Sequence, residues 1–327
     1  MRTGFRRYGR IALLGMAALG LAGFVGPRPE CIAPSPPGGG WDFTCRTVGR
    51  LMQELGITER SVQITNLPGG VGAVAFSSVA ANHAADPSIL VATSTVGITQ
   101  IAQKRYPGDI DRMRWVAMLG TDVGVILVRP DAPYKTLKDL FAALKQDPTA
   151  AVTGGSSGAG GYDHLRLLLL ARSAGLATPE MKRIRWIQYE GGSNAVTQLL
   201  GSHVDVVATD LAEIAGFVEA KQVRVLGILS EERLGAPYAE IPTAREQGLD
   251  VVGLNWRGFY TGGRVSDEAY EQQIAMLKRL YDSEQWKQAA RNFGLTPVWR
   301  GGKEFQDFVR TSTDALRTLS QDIGVIR

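Results

Sequence analysis

Four glycine-rich turns are where this chain has the residue types to do chemistry. The first reads Pro37-Gly38-Gly39-Gly40-Trp41-Asp42, between an apolar run at Cys31 and a helical pattern at Val48, Leu51, Met52 and Leu55. The second is Asn66-Leu67-Pro68-Gly69-Gly70-Val71-Gly72. The third is Thr153-Gly154-Gly155-Ser156-Ser157-Gly158-Ala159-Gly160-Gly161, and the fourth Tyr189-Glu190-Gly191-Gly192-Ser193-Asn194. A strand that turns through glycines into a helix leaves backbone N–H groups directed at open space, and such turns hold small anions. Thr93-Ser94-Thr95 adds hydroxyls after another strand. In open α/β sheets ligands sit at the carboxyl ends of strands. Two turns fall in the first third of the chain and two in the middle third, which suits a cleft between two α/β lobes.

Other chemistries fit these motifs less well. Gly70-x-Gly72-x-x-Ala75 imitates a dinucleotide fingerprint, but Pro68 crowds the turn and no acidic residue follows a second strand at the required distance. No glycine loop carries a Walker lysine. Gly154-x-Ser156-x-Gly158 has the setting of a nucleophile elbow, so a secreted serine esterase using Ser156 is the rival reading. Only His164 and His203 follow Ser156, and Asp163 next to His164 faces the wrong way round a helix to orient it. A glycine-serine linker is the blander alternative, although linkers rarely run straight into Tyr-Asp-His-Leu-Arg-Leu-Leu-Leu-Leu. Asp42 suits a helix cap, Trp41 and Trp256 suit cleft wall or core, and Asp205 and Asp210 bracket a strand end. The three histidines have no metal-ligand spacing, so no metal and no cofactor is expected.

The elements that position these turns alternate. Strand-like runs at 61–65, 89–92, 123–128, 150–153, 184–188, 204–208 and 223–229 are rich in β-branched residues. Helical patterns fill 71–82, 137–145, 162–173, 195–200 and 211–220, and the last part is largely helical at 267–282, 284–292 and 303–321. This predicts an α/β fold with mostly parallel sheets. With about 300 residues beyond the leader, two domains are expected.

Arg2, Arg6, Arg7 and Arg10 precede an apolar run at 11–25, too short for a bilayer span, so residues 1–26 read as a signal peptide. The expected compartment is the periplasm. Lys and Arg total 36 against 32 Asp and Glu; without the four leader arginines the two signs balance, which argues against nucleic acid. In an oxidising compartment Cys31 and Cys45, the only cysteines, are expected to form a disulfide; two buried thiols are the alternative.

Order and spacing of motifs now bear on identity. Pro-Gly-Gly-Gly-x-Asp at 37–42, the 66–72 loop, Gly158-x-Gly160 before a helix, Glu190-Gly191-Gly192, His203-Val204-Asp205, Ile241-Pro242-Thr243 and Glu246-Gln247-Gly248 resemble the Bug group of solute receptors. Glu-Cys-Ile-Ala-Pro at 30–34, Thr44-Cys45-Arg46, the run 68–75, Gly120-Thr121-Asp122 and Arg257-Gly-Phe-Tyr resemble its tricarboxylate branch, the substrate-binding component of tripartite tricarboxylate transporters. The likeness runs from about Glu30 to the C-terminus.

That resemblance implies a two-lobed type II periplasmic-binding fold, with lobe one at 29–124 and 230–327 and lobe two at 125–229. It implies a monomer that captures a di- or tricarboxylate, citrate first, for a two-subunit membrane permease. A sensor module for a membrane kinase is a further alternative. The expected ligand contacts are the amides of Gly38, Gly39, Gly40, Trp41, Gly158, Gly160, Gly161 and Gly192. Ser94, Thr95, Ser156, Ser157 and Asn194 are expected to add side-chain hydrogen bonds, Asp210 to anchor a ligand hydroxyl or water, and Arg257 to neutralise one carboxylate.

Overall fold

The computed structural model describes residues 28–326; the expected leader lies outside them. The chain begins as β1 (Glu30–Ala33), α1 (Gly40–Glu54), β2 (Gln63–Asn66), α2 (Ala73–Asn82), β3 (Ile89–Ser94) and α3 (Thr95–Ala102). Then comes β4 (Met113–Val128), a strand of 16 residues. There follow α4 (Leu137–Gln146), β5 (Val152–Gly155), α5 (Tyr162–Ser173), the short α6 (Thr178–Met181), β6 (Arg185–Gln188), α7 (Gly192–Leu200), β7 (Val206–Asp210), α8 (Leu211–Glu219) and β8 (Arg224–Ile228). The last stretch is β9 (Leu254–Gly262), α9 (Asp267–Asp282), α10 (Glu284–Asn292), β10 (Thr296–Gly301) and α11 (Gly302–Asp322).

One strand organises both lobes. The strand order is β2-β1-β3-β9-β4-β7-β5-β6, with β10 and β8 also paired to β4. From Met113 to Val123 β4 lies antiparallel to β9, and from Gly124 to Val128 it lies antiparallel to β7. A strand this long, roughly 50 Å at about 3.3 Å per residue, links the two sheets without a loop. β1, β2 and β3 run parallel in the first sheet, as do β5, β6 and β7 in the second. Each lobe therefore buries its β-branched strands beneath helices.

Three apolar clusters follow from this layout. Ile32, Phe76, Val91, Trp115, Phe259 and Phe305 belong to the core of lobe one. Lobe two has one cluster built around Leu140, Phe141, Leu165 and Leu168, and another around Val196, Leu199, Leu211 and Ile214. Ala244, Leu249 and Val251 belong to the second lobe's core, and Thr243 bridges Ile228. Residues 244–251 thus pack with the core of the second lobe, and the chain rejoins the first sheet at β9.

The expected strands and helices appear within a few residues, but the sheets are mixed rather than mostly parallel, because β4 and β9 run antiparallel to their neighbours, and α3 and α6 lie where no helix is expected. The 123–128 run is only the second half of β4, since Gly120 and Asp122 interrupt the apolar pattern of the first half. β9 and β10 lie where the sequence reading names no strand. Among the described residues no helix is long and apolar enough to cross a membrane.

Cys31 of β1 and Cys45 of α1 are joined, with Cα atoms 5.7 Å apart, and both are buried. The bond ties the first helix to the sheet strand that precedes its glycine turn. Closing a loop of this size restricts the unfolded chain by about 3 kcal/mol. The Cys31→Ser/Cys45→Ser variant is expected to lose about that much stability in urea unfolding, and reduction of the native protein should match it.

Candidate functional site

The turns before α1, α3, α5 and α7 meet at one cleft of about 470 Å³ including its mouth. Lobe one contributes Pro34, Ser35, Pro36, Gly39, Gly40, Trp41, Val71, Ser94, Val96 and Arg257 to its walls. Lobe two contributes Ser156, Gln188, Tyr189, Glu190, Gly191 and Glu213. The lobes touch over it: Ser193 Oγ, 2.9 Å from the Glu213 carbonyl of its own lobe, shares its proton with the Gly38 carbonyl at 3.1 Å. The described conformation is therefore closed.

The first turn is braced from behind. The Asp42 carboxylate accepts from the Gly38 amide at 3.0 Å, Arg46 Nε at 2.9 Å and Asn66 Nδ2 at 2.8 Å. Burial pulls its pKa upward, but these bonds outweigh it and hold the carboxyl below the usual range. Asp42 is thus a positioner of the loop rather than a cap of its own helix, whose N-cap is Gly39. The amides of Gly40 and Trp41 take no protein acceptor among the described residues and remain as helix-start donors. Trp41 lines the wall, its indole Nε1 donating to Ser94 Oγ at 3.1 Å. Ser94 also accepts from the Val96 amide, capping α3.

Beneath the cleft lies a buried ion cluster. Arg257 Nη2 donates to Asp122 at 2.6 Å and to Asp210 at 3.0 Å, and Glu213 Oε1 stands 3.5 Å away. Arg166 pairs with Asp163 and, at 2.7 Å, with Asp210, which also accepts from Asn255 Nδ2 at 2.5 Å. Four carboxyl groups thus face two guanidiniums. Burial raises Asp122 to about 7 and Glu213 to about 7 against the opposing pull of Arg257, and raises Asp163 as well. Asp210 stays low because both arginines overcome its burial. Among the described residues no group of three His, Cys, Asp or Glu is arranged to hold a metal ion.

This geometry sorts the expected contacts. Gly39, Gly40, Trp41, Ser94, Ser156 and Arg257 line the cleft. Gly38 sits at the lip with its amide on Asp42. Thr95 is turned into the strand junction, where its amide donates to Asn255 Oδ1 and its hydroxyl accepts from the Trp256 amide. Ser157 is buried, its hydroxyl accepting from the Asp163 amide. The Gly160 amide donates to His164 Nδ1 and the Gly161 amide to the Gly158 carbonyl, so these two donors are engaged inside the loop. Gly158 stands behind the cleft wall, beside Gln188, which lines it. Asn194 donates to the Glu190 carbonyl, and the Gly192 amide to Glu213 Oε2. Asp210 is enclosed by the two arginines and Asn255. Arg257 faces the cleft with its charge already balanced, because a buried guanidinium needs internal carboxylates. Ser156 Oγ donates to Asp163 at 2.5 Å, while His164 is held by Gly160 and packs on Trp186, so no imidazole stands at the serine.

Sequence reasoning missed Gln188 and Glu213. Gln188 ends a parallel strand, where the rule for α/β sheets would have found it. Glu213 reads as an ordinary acid in the first turn of a helix.

Residues 48–325 match the family model described as "Tripartite tricarboxylate transporter family receptor". A UPF0065 protein of Bordetella pertussis is 27% identical over 327 residues, covering 98% of this chain and 97% of its own. The structure of the periplasmic binding protein BugD superposes with a TM-score of 0.81 at 18% identity, covering 92% of this chain and 99% of its own. MatC from Rhodopseudomonas palustris, with bound malate, gives 0.77 at 20% identity, covering 89% and 98%. These likenesses and the paired sheets give the chain the two-lobed periplasmic-binding fold.

The cluster predicts a pH profile. Asp122 and Glu213 hold protons in the folded protein up to about 7, against 3.8 and 4.5 unfolded. The folded state therefore binds more protons between those limits, and stability from these groups falls as pH rises from about 4.5 through about 7, levelling only once the folded groups have lost their protons above that. Urea midpoints at pH 5, 6, 7 and 8 should decline in that order, and Asp122→Asn should flatten the slope.

Proposed function

Because this chain belongs to the tripartite tricarboxylate transporter receptor family, we propose that it is a periplasmic solute receptor that captures a di- or tricarboxylate and delivers it to a two-subunit membrane permease. The observation that carries the ligand class is the start of α1 in the closed cleft, where the Gly40 and Trp41 amides stand free beside Arg257 and the Ser94 hydroxyl cap. Helix-start amides favour an anion by roughly 0.3–1 kcal/mol, up to about 2 kcal/mol when partly buried. Charge-assisted bonds from fixed amides add to this without demanding side-chain ordering.

Release follows from the same arrangement. The lip contact between Ser193 and Gly38 joins residues of opposite lobes by a single hydroxyl bond. Parting the lobes exposes the amides to water, which competes for the carboxylate. The bound malate of MatC supports the dicarboxylate class. Citrate, favoured by the motif resemblance, keeps a place in the test panel, although no uncompensated cation here singles out a third carboxylate.

Calorimetry of the protein without its leader against malate, succinate, adipate, citrate and tricarballylate tests the reading. Binding of at least one at micromolar affinity is expected, and no heat with any of them would sink it. A Cβ at Gly40 would collide with Arg257 Nη1 and fall 2.6 Å from Glu213 Oε1. Gly40→Ala should therefore weaken binding at least about tenfold, since Arg257 and Glu213 must both move to make room, which disturbs the buried pair at the ligand donors. Pull-down of permease subunits encoded beside the receptor would test delivery.

A further inference from the structure

The carboxyl of Glu213 stands where a ligand carboxylate would be drawn. Its Oε2 accepts from the amide of Gly192, the first residue of α7, at 2.6 Å. Its Oε1 lies 3.5 Å from Arg257 Nη2 and close beside Gly40, the first residue of α1. Helix starts attract anions. Here the starts of α1 and α7 approach from opposite lobes, a guanidinium completes the convergence, and the anion between them is supplied by the protein itself. The side chain is 5% exposed yet lines the cleft.

Two buried polar atoms beside it lack a protein partner among the described residues. They are Arg257 Nε and Thr209 Oγ1, and the hydroxyl lies against the Cα of Gly192. Donor capacity at this spot therefore exceeds what Glu213 uses. The charged groups facing Glu213 are Arg257 from β9, Asp210 at the end of β7, Asp122 from β4, and Asp163 with Arg166 from α5. From α1 the backbone of Gly40 lies beside its carboxyl; from α7 the Gly192 amide meets the carboxyl and the Ser193 hydroxyl donates to the Glu213 carbonyl, while Glu190, just before α7, lines the same cleft.

Building on the carboxylate-receptor reading, we propose that Glu213 is a specificity-determining residue, a built-in anion at the convergence of α1, α7 and Arg257. It lets the cleft take one ligand carboxylate fewer than its donors would hold, and so selects dicarboxylates over tricarboxylates. Two like charges about 5 Å apart in an effective dielectric near 20 weaken binding on the order of a hundredfold. A proton relieves that repulsion, and burial already holds the Glu213 carboxyl up to about 7. An anion settling beside it raises the carboxyl further, so ligand binding draws in a proton near and above neutral pH.

The test is calorimetry of the leaderless protein and Glu213→Gln between pH 6 and 9, with the five-acid panel, in two buffers of different ionisation enthalpy. The native protein is expected to bind succinate more tightly than tricarballylate, to take up a proton, and to lose affinity up to about tenfold per pH unit above 7. Glu213→Gln should shift the succinate-to-tricarballylate ratio at least about tenfold towards the triacid, in line with the lost repulsion, and lose most of the proton uptake. An unchanged ratio and unchanged uptake in the variant would overturn the inference while leaving the receptor reading intact. If the variant does not fold, the native protein still decides, because a preference for the triacid or the absence of proton uptake refutes the role of Glu213. Failure of the native protein to bind any of the five acids overturns the receptor reading itself.

Discussion

The pairing of Arg257 and Arg166 with Asp122, Asp163 and Asp210 is the constraint on which the rest of the molecule depends. These side chains come from β9, α5, β4 and β7, so the cluster lies where the strands of the two lobes cross. Two guanidiniums buried at 2% exposure or less are tolerable only with carboxylates in contact, and removing one partner from such a pair costs about 3–5 kcal/mol. Hydrophobic clusters give each lobe its own stability. The ion cluster fixes how one lobe sits on the other.

It also sets the electrostatics of the cleft. Because Arg257 is neutralised from below, the cleft presents backbone dipoles rather than a bare cation. On the proposed reading, ligand charge would be met by amides at fixed positions, and donors that need no reordering serve both capture and release. Of the two lobe-two acids on the cleft wall, Glu190 and Glu213, it is Glu213 that stands beside Arg257, and one proton switches it between negative and neutral.

How much of this was legible in the residues depends on which signal was used. Strand-glycine-helix turns declared the cleft, because a Gly-rich turn at the end of a β-branched run has few other uses. The cysteine pair declared the staple on α1. β9 was hidden: Asn255, Arg257, Gly258 and Thr261 make it read as a loop. In the fold those polar groups are satisfied by partners far away in the chain, and Gly258 is required because a Cβ would sit 2.5 Å from the Ala117 carbonyl. The third turn misled in a different way. Its glycines promised free amides, but His164 and Gly158 accept two of them. Local pattern shows that donors exist; only tertiary context shows which remain unclaimed.

The last helix carries a consequence of its own. α11 begins against the core of lobe one at Phe305, Val309 and Leu316, and the chain at its end, Leu319, Ile323 and Val325, packs on the core of lobe two. Near that end Gln103 bonds both Ser320 Oγ and the Gly160 carbonyl, tying helix, lobe one and the third turn together. A single helix thus buttresses both lobes, whereas at the lip the lobes meet through the Ser193 hydroxyl and the approach of Gly191 to Gly39. If the lobes part, the lip has the fewer contacts to break. On the proposed receptor reading, the lip rather than the α11 flank would be the edge whose position reports whether the cleft is occupied.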